Sequence, residues 1–347
     1  MSKRFKKVCV CGHFGFGKEL LNGQTVKTKI LAAELDKRFT SNEVSKIDTH
    51  GGKSNLLSLP FRLFGALRNH KNVIILPAHN GLRIIAPILV AENVFFKRRL
   101  HYSVIGGWLP EYLKSRRVVA RALKRFHCIY VETETMKRAL EAQGYSNVKV
   151  VVNCKPLSIK KDIDNRAKEP YRLCTFSRVM REKGIEDAVN AVNELNQEKG
   201  RTVYTLDIYG PVDPSQTEWF ESLRAELPQG VDYRGEVRFD KSVEVLQNYF
   251  ALLFPTRFYT EGVPGTIIDG YAAALPVISS RWECFGDMVA DGVTGVGYDF
   301  GNVTELKKIL EEIANDPDKI EGMRQSCVER AKNYMPENAL ETLINEL

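Results

Sequence analysis

Two carboxylates set eight positions apart, Glu261 and Asp269, bracket the stretch E-G-V-P-G-T-I-I-D. The apolar run at 252–255 before it reads as a short buried strand. Residues 266–274 read as a helix and 276–279 as a second strand. The loop between them then lies at the carboxyl end of a strand, where open α/β sheets bind ligands. Backbone N–H groups of Gly265 and Thr266, near the helix start, suit an anion such as a diphosphate. Asp269 falls about one turn into the helix, on the same wall as the loop. Carboxylates accept hydrogen bonds from sugar or ribose hydroxyls, so the pair suits a polyhydroxyl ligand joined to a phosphate. On spacing alone, a helix-end acid plus a solvated surface Asp fits equally.

A second loop repeats the anion logic. Residues 171–176 read as a strand, followed by S-R-V-M-R-E-K-G at 177–184. Arg178 and Lys183 there supply a guanidinium and an ammonium at a strand's carboxyl end, a combination that suits a diphosphate. Surface cations on a turn are the plainer reading, and they fit Arg181.

In the first half, a strand at 7–14 runs into the glycine-rich G-H-F-G-F-G. The match to a P-loop fails at Glu19, where a magnesium-binding hydroxyl belongs, and the dinucleotide fingerprint fails at Leu20. What survives is a loop whose amides, with Gly23 and Gln24 at the start of a helix reaching Phe39, can approach a phosphate; an ordinary β-α turn is the alternative. His79 and Gly106-Gly107-Trp108 each follow a strand-like run and so fall at the ligand edge, as possible acceptor-side residues. Asp162-x-Asp164 has the form of a metal-binding pair but follows no apolar strand.

The elements that position these residues alternate. Strand-like runs at 44–47, 73–76, 102–105, 129–132 and 148–153 are separated by helical stretches, and a second series begins at 171 with 204–209 and 231–233. This predicts α/β architecture with parallel sheets covered on both faces. At 347 residues the chain accommodates two domains. We place them at 1–165 and 166–330, joined through the polar segment 155–170, with 331–347 as a last helix returning to the first domain. Seven scattered cysteines without a C-x-x-C pair predict buried thiols in a reducing compartment. No signal-peptide core and no run of 18 apolar residues occurs.

Charge is divided unevenly. Residues 1–165 hold 30 Lys and Arg against 12 Asp and Glu, and the remainder holds 20 against 31. The basic half favours an anionic partner. Apolar residues interleave with its cations, as in Phe61-Arg62-Leu63-Phe64 and Val94-Phe95-Phe96-Lys97, which favours an anionic membrane surface over nucleic acid; solvated helix faces are the bland alternative. No nucleic-acid-binding motif is present.

Four features of the second half, in order, carry a resemblance: S-R-x4-K-G at 177–184, D-I-Y-G at 207–210, Y-x-G-x-V at 233–237, and E-G-x-P-G-T-x2-D at 261–269 followed by A-x-L-P-V-I. Together they resemble the GT-B fold glycosyltransferases, most closely family 4 (glycosyl transferases group 1), of the bacterial polysaccharide-biosynthesis type. The resemblance implies two Rossmann-like domains with parallel sheets facing a central cleft. It implies a retaining, metal-independent transfer from a nucleotide sugar, UDP-linked by family habit, with no cofactor. Arg178, Lys183 and Glu261 become the catalytic set, the two cations against the donor diphosphate. Glu261 and the backbone of Val263, Pro264, Gly265 and Thr266 hold sugar and phosphates. Asp269, in place of the family's second Glu, takes the ribose, Val237 lies by the base, and Gly23 and Gln24 close on the diphosphate. The family's His after the fourth strand is replaced here by Gly106-Gly107-Trp108, so the acceptor-side group is open, with His79 or His101 as substitutes. The expected acceptor is a lipid-linked saccharide in capsular, exopolysaccharide or O-antigen synthesis, with the enzyme cytoplasmic and peripheral on the inner membrane face. A nucleotide-sugar epimerase of the same fold, or a non-catalytic module binding sugar nucleotide or membrane, are the alternatives.

Overall fold

The computed structural model describes residues 5–18, 23–40, 42–51, 53–160 and 163–347. Glu19, Leu20 and Asp162, singled out above, lie outside them. The chain divides into two compact units, Met1–Pro156 with Tyr334–Leu347, and Leu157–Asn333.

The first unit holds β1 (Lys6–Gly12), α1 (Gly23–Arg38), β2 (Val44–Asp48), α2 (Lys53–Asn69), β3 (His70–Ile75), α3 (His79–Phe96), β4 (Arg99–Ser103), α4 (Leu109–Lys114), α5 (Arg117–Leu123), β5 (Cys128–Val131), α6 (Glu134–Glu141) and β6 (Val148–Val150). The strands form one parallel sheet in the order β2-β1-β3-β4-β5-β6. Strands covered on both faces read as near-continuous apolar runs, as at Val8–Cys11 and Val73–Ile75. All seven cysteines of the chain are free and buried, and Cys9, Cys11, Cys128 and Cys174 fill strand positions.

The second unit holds β7 (Tyr171–Phe176), α7 (Ile185–Lys199), β8 (Tyr204–Tyr209), α8 (Thr217–Ala225), β9 (Val231–Gly235), α9 (Ser242–Leu246), β10 (Ala251–Phe254), α10 (Gly265–Ala272), β11 (Val277–Ser280), α11 (Phe285–Met288), β12 (Gly295–Tyr298) and α12 (Val303–Asn315). Its sheet is also parallel, in the order β12-β11-β10-β7-β8-β9. This is the doubly wound Rossmann order, and it reverses between β7 and β10. The first sheet reverses at β1 and β3. Both reversals open a crevice at the carboxyl ends of the strands concerned.

Two boundaries differ from those placed on the sequence. The first unit ends at Pro156, not at 165, because residues from Leu157 onward bond into the second: Lys160 N–H donates to Ala272 O, and the Arg166 guanidinium donates to Tyr249 O and Ala273 O. The returning segment begins at Tyr334 and forms two short helices, Pro336–Ala339 and Glu341–Asn345, in place of one. Its Ala339, Leu340 and Leu343 enter the core of Val8, Val10, Leu31, Ile74 and Tyr130. Asn72 Nδ2, on β3, donates to both Lys7 O and Leu347 O at 3.0 Å. No helix among the described residues is long and apolar enough to cross a membrane.

In the second unit two glycines let loops pack backbone against backbone. Gly184 has φ +67°, and a Cβ there would lie 1.9 Å from Pro255 O. Gly210 has φ +131°, and a Cβ there would lie 1.8 Å from Ser177 O. Gly184→Ala and Gly210→Ala are each expected to destabilise the second unit by roughly 3 kcal/mol or more, through forced backbone displacement added to the φ penalty. Denaturant unfolding followed by tryptophan fluorescence checks this, and wild-type midpoints would refute the packing.

His101, on β4, is fully buried between Tyr130 OH at 2.9 Å and Asn72 Oδ1 at 3.1 Å. Burial, helped by neighbouring His127, pulls its pKa from 6.5 down to about 3. An unfolded chain takes up the proton first as pH drops. The stability due to neutral His101 is therefore complete above pH 6.5 and lost as pH falls from there toward 3. Imidazole NMR is expected to show the His101 ring still neutral near about pH 5, with the unfolding midpoint of the first unit declining over the same range.

Candidate functional site

The reversal between β7 and β10 gathers the second unit's chemistry. The loop after β7 is held in place by Ser177 N–H donating to Tyr209 O and Val179 N–H donating to Pro211 O. It ends in a single 3-10 turn, Arg181–Lys183. Lys183 Nζ makes an ion pair with Glu261 Oε2, 78 residues away in sequence, and lies 5.8 Å from the ring centres of Phe254 and Phe258. Both charged side chains are mostly buried. The loop after β10 is shaped by Phe258 N–H donating to Thr256 Oγ1 and Glu261 N–H donating to Phe258 O.

A second ring of contacts ties these loops together. Arg257 Nε and Nη2 grip the carboxylate of buried Asp187, on α7, at 2.7 and 2.5 Å. Arg257 N–H donates to Glu182 O, Gln216 Nε2 donates to Glu182 Oε2, and Gln216 Oε1 accepts from Arg181 N–H. Arg178 turns to the loop after β8, where Nη1 lies 3.3 Å from Asp213 Oδ2. Ser215, which donates to Asp213 through hydroxyl and N–H, and then Arg178 hold that carboxyl below its ordinary range.

Helix α10 starts at the same edge. Val263 and Pro264 are buried, and Gly265 and Thr266 are half-buried. Pro264 provides no side-chain cap, and the first bonds to its carbonyl come from Ile267 and Ile268. The N–H groups of Gly265 and Thr266 are thus helix-start donors with no backbone partner among the described residues. Thr266 Oγ1 is buried without a hydrogen-bond partner among the described residues. Asp269 is 4% exposed, so it is no solvated surface acid. Val237 follows β9 as a half-buried residue two positions beyond Gly235, whose φ is +78°.

The first unit presents its own edge. Gly23 opens α1 and is exposed, and Gln24 Nε2 donates to Leu76 O beyond β3 at 3.0 Å. Next to it lies a network absent from the sequence reading. His13 Nδ1 meets Thr25 Oγ1 at 2.6 Å, and His13 Nε2 meets His50 Nδ1 at 2.9 Å. Asp48 accepts from the N–H groups of His50, Phe14 and Phe16. Burial pushes its carboxyl up, but these N–H groups outweigh that and hold it low. The D-T-H-G at the end of β2 was the available signal.

His79 and Trp108 come together as a stack, ring centres 3.7 Å apart. Tyr112 packs edge-on to both, and its OH donates to His79 O. Burial lowers the His79 pKa. Gly106, at φ +79°, turns the chain so that Trp108 Nε1 can donate to Ile105 O. Tyr112 was missed, although its spacing of four from Trp108 on a helix was visible. His101 is sealed in the core and is no acceptor-side group. Lys27 and Glu132, also missed, form a buried ion pair at 2.6 Å, with Lys27 Nζ donating to Val104 O as well.

No group of three or more His, Cys, Asp or Glu converges as metal ligands among the described residues, and Asp164 pairs with Lys160. A cavity of about 530 Å³ opens at the opposite, amino edge of the second sheet, beside Arg172, Asp207 and Arg234. Its Asp207 is already bonded by Arg234, Tyr249 and Arg172.

Residues 170–316 match the family model described as glycosyl transferases group 1. An uncharacterised glycosyltransferase of Methanocaldococcus jannaschii is 23% identical over 181 residues, 51% of this chain and 44% of that one. The chain spans less than half the length of the curated relatives it matches. Among solved structures, HepE of Anabaena in complex with UDP aligns over 98% of both chains with 15% identity and a TM-score of 0.75. The lipopolysaccharide outer core galactosyltransferase WaaB aligns over 98% of both with 17% identity and a TM-score of 0.71. The fold is GT-B, two Rossmann-like units with parallel sheets.

Arg257→Ala strands the buried Asp187 carboxylate and is expected to cost about 2 kcal/mol, a buried-pair value reduced because the guanidinium is half in solvent. Adding Asp187→Asn should recover part of that loss in a denaturant titration. No recovery would mean that the pair is not the cause.

Proposed function

We propose that this GT-B chain, whose second unit carries a group 1 glycosyl transferase domain, is a retaining glycosyltransferase. It moves a sugar from a UDP-linked donor to a saccharide on a lipid carrier during bacterial surface polysaccharide assembly. The observation that carries the reading is the ion pair of Lys183 with Glu261, in the loop that leads into the α10 N-terminus, where the second sheet's strand order reverses. A cation and unsatisfied N–H groups suit a diphosphate, and a carboxylate suits sugar hydroxyls. The UDP bound by HepE and the lipopolysaccharide named for WaaB support donor and acceptor class.

Departure of a nucleoside diphosphate builds negative charge on its oxygens. Arg178, Lys183 and the N–H groups of Gly265 and Thr266 stabilise that charge from fixed positions. Lys183 exchanges Glu261 for phosphate, and Glu261 is thereby released to accept from the sugar. Asp269 takes the ribose and Val237 the base. In the first unit, the flat stack of His79 on Trp108 provides an apolar ring face for an acceptor sugar.

The test is nucleoside diphosphate release from a panel of nucleotide sugars, with and without bacterial lipid extract. Release from one UDP-sugar, rising with lipid and falling about 100-fold in Arg178→Ala, is expected. Conversion of the donor to an isomer without lipid would favour an epimerase. Donor binding without turnover would favour a binding module, and no donor binding would end the nucleotide-sugar reading.

A further inference from the structure

Helices α2 and α3 carry apolar residues on the faces they turn to solvent. On α2, the buried side is Leu59, Leu63, Ala66 and Leu67, as an amphipathic helix requires. The opposite side should be polar. Instead Leu57, Phe61 and Phe64 lie along it at spacings of four and three, 76%, 81% and 43% exposed. On α3, Ile84, Ala91 and Phe95 form a similar outward row, with Val94 and Phe95 61% and 81% exposed. The Phe64 and Phe96 rings meet edge-on at 5.0 Å, which joins the two rows into one patch. Contiguous apolar surface of this kind marks a docking face.

The surroundings of the patch select the partner. Helix α5 packs against α3 and adds exposed Arg117, Val118 and Arg121, with Arg125 just beyond it. These three arginines make no ion pair among the described residues, and Arg68 and Lys97 are exposed at the ends of α2 and α3. The one acid on α3 is Glu92, half-buried, its pKa raised by desolvation. An apolar strip flanked by unpaired cations complements an anionic lipid surface, with rings in the acyl boundary and guanidinium groups at the headgroups. A protein partner or second copy would have to bring acids to match; among the described residues of α2, α3 and α5, no exposed acid is offered to a twin.

We propose that the outward face of α2, α3 and α5 docks on an anionic bilayer, with Phe61 and Phe95 inserted and Arg117 and Arg121 at the headgroups. This deepens the lipid-carrier reading above and gives that reading its site of membrane contact.

The experiment is co-sedimentation of the full chain with vesicles of phosphatidylglycerol or of phosphatidylcholine, alongside UDP titration of the same preparations. Preferential binding to phosphatidylglycerol is expected, reduced about tenfold or more in Phe61→Ser/Phe95→Ser. Arg117→Glu/Arg121→Glu should lose the preference for the anionic vesicle. Both variants should bind UDP as the wild type does, which also shows that they are folded. Undiminished vesicle binding in both variants, or equal binding to the two lipids, would overturn the proposal. So would a dimer in solution that Phe61→Ser/Phe95→Ser converts to monomer. Vesicle binding needs no donor, so its failure is separate from failure of the transferase reading, which the UDP titration reports.

Discussion

The second unit depends on a contact in which no side chain takes part. Gly184 sits so close to the Pro255 carbonyl that no Cβ fits between them. That contact fixes the separation of the loops following β7 and β10, the two strands where the sheet order reverses. Lys183 precedes the glycine and Glu261 lies six residues beyond the proline, so the ion pair between them is set by backbone before it is set by charge. Gly210 repeats the device against Ser177 and brings in the loop after β8, with Asp213 to meet Arg178. Arg257 on Asp187 then closes the arrangement with a charge-assisted fork. These backbone and side-chain contacts hold the loops together, and preorganised donors are what stabilise charge that develops in a reaction.

The pair at the centre also bears on energetics. Lys183 and Glu261 neutralise one another in a mostly buried setting, so neither is left as an uncompensated charge. On the proposed reading, a diphosphate would replace one oxyanion by another at Lys183, with most of the desolvation of the ammonium already met by folding. The same principle operates in the first unit, where Lys27 and Glu132 are almost fully buried and Lys27 finds a carbonyl as well.

Much of this was legible in the chain. β7 and β8 follow the apolar runs residue for residue, because strands covered on both faces leave little ambiguity. The loops bearing Arg178, Lys183 and Glu261 were located by the same reasoning, and His79 was put at the same edge as Trp108. What could not be read is which charge meets which. Lys183–Glu261, Arg257–Asp187 and Lys27–Glu132 are separated by 78, 70 and 105 residues. Periodicity reports which face a residue occupies, not the partner across from it. The unit boundary was displaced for a related reason: the stretch around Arg166 is polar in composition and looked like a linker, yet its guanidinium is consumed by carbonyls of the second unit.

The return of residues 334–347 makes the first unit discontinuous, and this sets an order on biosynthesis. The second unit is one unbroken stretch, Leu157–Asn333, and has every strand of its sheet as soon as those residues have emerged. The first unit, although its strands are made earlier, lacks Ala339, Leu340 and Leu343 in its core until translation has passed them. Domains commonly mature from the amino terminus as the chain is synthesised. Here the first unit is completed after the second, because Ala339, Leu340 and Leu343, which pack beside Val8, Leu31 and Ile74, follow Leu157–Asn333 in the chain.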